Sequence, residues 1–89
     1  MNEIEIVLTE RVRRDYKKLP TAIQRKFQKQ LRFLTNDPRH PSLQIHRIQG
    51  TGYWEFYIDI AYRGILRIDG STFYVLAVGP HKVIDEFSR

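Results

Sequence analysis

The hydrophobic period along the chain changes once, near residue 43. Before it, apolar residues recur three and four apart. After it, they recur at every second position. Residues 4–8, Ile-Glu-Ile-Val-Leu, predict a short strand. Thr9 is placed as an N-cap, and Val12, Tyr16 and Leu19 form an apolar row at helical spacing, predicting a first helix over 10–19. Leu19-Pro20 ends it, because the residue before proline avoids the helical region. Thr21 is placed as the cap of a second helix over 21–36. That helix carries Ile23, Phe27, Leu31 and Leu34 on one face, and Asn36-Asp37-Pro38 stops it. Helices joined this tightly are expected to pair antiparallel, basic faces outward.

In the second half, Leu43, Ile45 and Ile48 alternate imperfectly with polar residues, and Gly50-Thr51-Gly52 marks a turn. Trp54, Phe56, Ile58 and Ile60 alternate with Tyr53, Glu55, Tyr57 and Asp59, as in a half-buried antiparallel strand. Residues 63–68 continue the alternation. Asp69-Gly70-Ser71 signals a hairpin, and 72–79 is apolar on both faces, as a central strand would be. The tail from Pro80 is read as a short helical turn. The expected fold is α+β: two N-terminal helices on one face of a curved, mainly antiparallel 4-stranded sheet, the other face open. Strand parity turns Trp54, Phe56, Ile58, Gly64, Leu66, Ile68, Phe73, Val75 and Ala77 inward. Glu55, Tyr57, Asp59, Arg63, Ile65, Arg67, Thr72 and Tyr74 turn outward. A three-residue loop at 60–62 would set Asp59 opposite Arg63 and Glu55 opposite Arg67.

Composition narrows the class. With 89 residues the chain is expected to be a single domain, 1–89, since a second core does not fit. It has no cysteine, which excludes a disulfide scaffold and thiolate zinc sites and suits a reducing cytoplasm. No apolar run approaches the roughly 18 residues of a membrane span, and the N-terminus does not resemble a signal peptide, so no membrane role is expected. The net charge is +5 and unevenly placed: residues 11–47 hold eleven Lys or Arg against two acids, Asp15 and Asp37. Solvated faces usually mix signs, so this bias points to a polyanion as partner.

Arg63 and Arg67 are the first candidates for chemistry. Ion pairing would explain them, and so would phosphate binding, which suits the guanidinium fork. The histidines are His40, His46 and His81. His40 lies in a loop and His46 in an edge strand, where a polar residue is ordinary. His81 follows a strand end, where site residues are often placed. Their spacing does not suggest a metal site, and there is no Gly-rich phosphate loop or nucleophile elbow, so no cofactor is expected. Tyr53, Tyr57, Tyr62 and Tyr74 can stack bases, while Trp54 falls on the core parity.

Four segments in this order, Arg13-Arg-Asp-Tyr-Lys-Lys-Leu-Pro20, Leu34-Thr-Asn-Asp-Pro-Arg-His-Pro-Ser-Leu43, Gly52-Tyr-Trp-Glu-Phe-Tyr-Ile-Asp-Ile-Ala-Tyr-Arg-Gly-Ile-Leu-Arg-Ile-Asp-Gly70 and Phe73-Tyr-Val-Leu-Ala-Val-Gly-Pro-His81, resemble the RelE/ParE superfamily of bacterial type II toxins. The resemblance covers almost the whole chain. It implies two helices on a curved antiparallel sheet. Its RelE branch implies metal-independent cleavage of mRNA in the ribosomal A site; its ParE branch implies poisoning of DNA gyrase; a non-catalytic, antitoxin-binding module of the same fold is a third implication. In each, the expected partner is an acidic antitoxin wrapping a segment across the toxin, with operator DNA bound only through the antitoxin. Residue by residue, Arg63 matches a phosphate-binding arginine and His81 a strand-end histidine, with Lys82 beside it. His46 matches a proton-transferring position, with Arg47 beside it. The implied catalytic set is Arg63, His81 and His46, with Glu55 an alternative base. The implied RNA and ribosome contacts are Lys17, Lys18, Arg25, Lys26, Lys29, Arg32, Arg47, Arg67 and Lys82. Two departures stand out. Glu55 and Asp59 occupy a strand that is basic in several RelE-type toxins, and the late tyrosine of many ribonuclease members is absent.

Overall fold

A computed structural model describes residues 3–88. Strand β1 spans Glu5–Leu8, helix α1 Glu10–Lys17 and helix α2 Thr21–Asn36. A 3-10 turn at Pro41–Leu43 leads to β2 (His46–Arg47), β3 (Trp54–Asp59), β4 (Tyr62–Asp69) and β5 (Thr72–Pro80), and a C-terminal 3-10 segment covers His81–Phe87. The sheet order is β1-β5-β4-β3-β2, with β1 parallel to β5 and every other pair antiparallel. The α+β class stands, but the sheet has five strands rather than four. The helices carry the chain from β1 at one edge to β2 at the other, and β5 returns beside β1, parallel to it. Among the described residues no helix is long and apolar enough to cross a membrane.

Thr9 caps α1 as expected: its Oγ1 accepts from Val12 N at 3.2 Å. The same hydroxyl donates to Val75 O at 2.9 Å, which fastens the helix start to β5. Helix α1 is two residues shorter than its apolar row, because Leu19 packs from the link while Lys18 closes the helix. Thr21 is the first helical residue of α2 and caps nothing; Pro20 takes the cap position without a side-chain bond. The helical rows meet the sheet as read, with Val12, Phe27 and Leu34 buried against Phe56, Leu66 and Val75. Phe27 and Phe56 stack at 6.4 Å. Gly64 is required opposite Phe56, because a Cβ there would fall inside that ring.

Two irregularities rewrite the expected parity. The β3–β4 loop holds only Ile60 and Ala61, and the register shifts between Tyr57 and Asp59, so Asp59 faces Tyr62, Tyr57 faces Arg63 and Glu55 faces Ile65. The expected Asp59–Arg63 and Glu55–Arg67 pairings do not form. A second shift on β5 opposes Ile65 to Ala77 but Leu66 to Val75. The extra residue, Leu76, reverses alternation beyond it. Ala77 therefore lies with Ile65, away from the helices, and Val78 takes the helix-side core position. Nor is the outer face left open. Val83 is buried there with Ile48, Ile65 and Ala77, while Ile84 and Phe87 of the tail pack around them.

Candidate functional site

The outer face of β3 and β4 gathers the charged groups. The two residues of β2 pair with β3, setting His46 opposite Glu55. His46 Nε2 lies 3.0 Å from Glu55 Oε2, and Arg63 Nε lies 3.6 Å from Glu55 Oε1. The glutamate is only 8% exposed. A buried carboxylate is costly unless paired, and here two basic side chains flank it. His46 Nδ1 is 2.8 Å from Gln44 O. Both ring nitrogens therefore face acceptors. Gln44 supplies that carbonyl from a left-handed conformation, φ +45°.

Arg63 is held more firmly than a solvent-facing phosphate ligand. Its guanidinium sits 4.9 Å above the Tyr57 ring. Its Nη1 donates to Asp59 O and to Tyr62 O at 2.9 Å, and reaches Ile60 O at 3.5 Å. The Asp59 carboxylate is used elsewhere: Oδ1 accepts from Ala61 N and Tyr62 N, closing the turn, and Oδ2 meets Lys26 Nζ at 3.5 Å. Among the described residues, Arg63 Nη2 makes no hydrogen bond.

His81 opens the tail, and its backbone N donates to Ala61 O at 2.8 Å. Arg63 opposes Gly79, two residues before it. Along the sheet, the Glu55–His46 pair lies on one side of Arg63 and the β5 terminus with His81 and Lys82 on the other. Arg11 holds the tail: its Nη1 is 2.7 Å from Glu86 Oε1, its Nε 3.3 Å from Asp15 Oδ2, and its guanidinium lies 5.9 Å from the Phe87 ring. The hydrogen bond from Arg11 holds the Glu86 carboxyl below its ordinary value, and the same contact raises Arg11.

The other candidates scatter. His40 stacks on Phe33 at 3.8 Å and accepts from Ser42 N, which is a loop-building role. Arg67 stacks over Tyr74 at 4.2 Å and Arg47 over Trp54 at 5.0 Å. Lys17, Lys18, Arg25, Lys29 and Arg32 are exposed on the two helices. Between those helices runs an apolar groove of Leu8, Val12, Tyr16, Phe27 and Leu31 with Arg13 and Lys17 at its edge. The sequence reading missed Arg11 and the anchoring role of Tyr57. Only the pairing of the tail with α1 brings the first into view.

The sequence model of the ParE toxin of type II toxin–antitoxin systems (parDE) matches residues 6–84. A search of curated proteins gives no match. Among solved structures, the YoeB/ParE toxin from Agrobacterium tumefaciens is similar at TM-score 0.72 and 21% identity, covering 88% of this chain and 99% of its own. YafQ from E. coli matches at 0.75 and 15%, covering 92% and 98%. The archaeal RelE–RelB complex from Pyrococcus horikoshii matches at 0.73 and 19%, covering 89% and 96%. At these identities the likeness is one of fold.

Proposed function

The chain belongs to the ParE toxin family of type II toxin–antitoxin systems, within the RelE/ParE superfamily, and on that footing we propose that it is a ribosome-dependent mRNA endonuclease working without a metal. The observation that carries this reading is the buried Glu55 carboxylate, 3.6 Å from Arg63 and 3.0 Å from His46, on the outer face of the sheet. Phosphodiester cleavage by the neighbouring 2′-hydroxyl needs a base, a counter-charge for the phosphorane and an acid. Glu55 takes the 2′-hydroxyl proton. Arg63 Nη2 meets a non-bridging oxygen, with Nε and Nη1 fixing the fork. His81, beyond Arg63 on the opposite side, protonates the leaving 5′ oxygen. The products are a 2′,3′-cyclic phosphate and a 5′-hydroxyl. His46 has both ring nitrogens on acceptors, so its role is to hold Glu55 in place rather than to remove the proton.

So few groups give little activity on free RNA, and the ribosome has to present the strand. Lys17, Lys18, Arg25, Lys26, Lys29 and Arg32 on the helices, with Arg47, Arg67 and Lys82, supply contacts to RNA phosphates. An antitoxin is the natural partner. Its acidic, apolar segment would lie in the groove of Val12, Tyr16 and Phe27, beside Arg13 and Lys17, as DinJ accompanies YafQ in its complex. A gyrase-directed reading is favoured by one observation, that the matching family is that of ParE. Purified protein mixed with programmed ribosomes in chelator separates the two. Cleaved mRNA ending in a cyclic phosphate is the expected result, with Glu55→Gln slower by about 10²-fold or more. Intact mRNA together with inhibited gyrase would replace this reading with the second.

A further inference from the structure

Ile60 is 84% exposed, and among the described residues no other large hydrophobic side chain is left so open. It occupies the first position of a two-residue turn, where a β-branched side chain has little to gain and small polar residues are usual. The turn around it is unusually well held. Asp59 Oδ1 accepts from Ala61 N and Tyr62 N. The carbonyls of residues 59, 60 and 62 meet Arg63 Nη1, and that of Ala61 meets His81 N. Lys26 braces the turn from α2 through Asp59. An apolar tip that contributes nothing to the core is thus fixed on the same guanidinium that carries the phosphate in the reading above.

That juxtaposition answers a geometric need. In stacked RNA the 2′-oxygen lies beside the scissile bond rather than behind it, and attack needs near-linear alignment. Unstacking the two flanking bases swings the oxygen into line, and apolar side chains inserted at a base step perform such unstacking elsewhere. We propose that Ile60 is a wedge that enters the mRNA between the bases flanking the scissile phosphate, while Arg63 at the base of the same turn holds that phosphate. Ile60 touches substrate but moves no proton. Its contribution is alignment, and the basic groups bracketing the turn, Lys26 on one side and His81-Lys82 on the other, keep the strand against it.

This inference rests on the ribonuclease reading, and its test separates the two. Ribosomes are programmed with an mRNA carrying 2-aminopurine beside the mapped cut and a 2′-deoxy sugar at the cut, so that binding occurs without cleavage. Wild-type protein should raise the fluorescence as the base unstacks. Ile60→Ser should fold with an unchanged melting temperature, bind the programmed ribosomes within about twofold, and leave the fluorescence unraised. On cleavable mRNA at saturating protein it should be slower by about tenfold or more, because alignment fails while binding persists. Ile60→Met, still an apolar wedge, should keep most of both signals. Unstacking or cleavage by Ile60→Ser at the wild-type level would overturn the wedge and leave the ribonuclease reading standing. Loss of ribosome binding in Ile60→Ser would make the tip a docking contact and likewise overturn it. Wild-type protein that neither binds nor cuts would remove the ribonuclease reading and the wedge together.

Discussion

Arg63 carries three tasks at once: it neutralises a buried glutamate, ties the β3–β4 turn through its carbonyls and stacks on Tyr57. Its side chain is 17% exposed, so removing these interactions is not screened away as on an open surface. Arg63→Ala leaves Glu55 short of a partner and turn carbonyls unpaired, at a cost of about 1–3 kcal/mol in urea melts. Arg63→Lys keeps the charge but cannot bridge turn and glutamate with one fork, and should recover stability only in part. A melt unchanged by Arg63→Ala would mean that the turn does not depend on it. The sequence singled out Arg63 but assigned it the wrong partner. Alternation alone pairs Asp59 with Arg63, and the Asp59 carboxylate is instead consumed by its own turn and by Lys26.

At the scale of elements, the helices, the hairpin at Gly70 and the strand limits were readable because each has a local signal. Those signals are the apolar rows, the Thr9 cap, and a glycine that takes φ +61° where the turn needs it. What alternation could not convey were the two register shifts, since a bulge leaves the residue order intact while moving Ala77 to the other face. The outer face was misread as open for a related reason. The tail is the short helical turn expected, but that its Val83, Ile84 and Phe87 cover β4 and β5 shows only once the sheet is assembled. The tail's clamp is electrostatic, and that gives it a pH dependence. Glu86 is held below its ordinary value by the hydrogen bond from Arg11, so the clamp is at full strength above that ordinary value and disappears as pH falls through the lowered one. Arg11, raised by the same contact, stays charged throughout. Amide protection at Val83 to Phe87 should therefore fall in acid before that of β4 and β5. In Glu86→Gln it should be weak at every pH. Protection that is the same at neutral and acid pH would mean that apolar packing alone holds the tail.

Across the whole molecule, the basic helices and the Glu55–Arg63 cluster occupy different surfaces, and the proposed function gives the first long-range attraction and the second the chemistry. Charge reversal at Lys17, Lys18 and Lys29 should flatten the salt dependence of ribosome association, by about one unit of slope for each RNA phosphate no longer neutralised, without changing the cleavage rate at saturation. An unaltered slope would make these lysines solvated surface. Charge bias made the first surface legible from composition; the second was half legible, because Arg63, His46 and His81 carry recognisable chemistry while the burial of Glu55 depends on the sheet around it. The most direct test of the account is induction of the chain in cells, followed by mapping of transcript 5′ ends alongside plasmid supercoiling. New 5′ ends in phase with codons, absent with Glu55→Gln and with Arg63→Lys and accompanied by normal supercoiling, are predicted. Diminished supercoiling without new ends, or ends that persist in both variants, would contradict it.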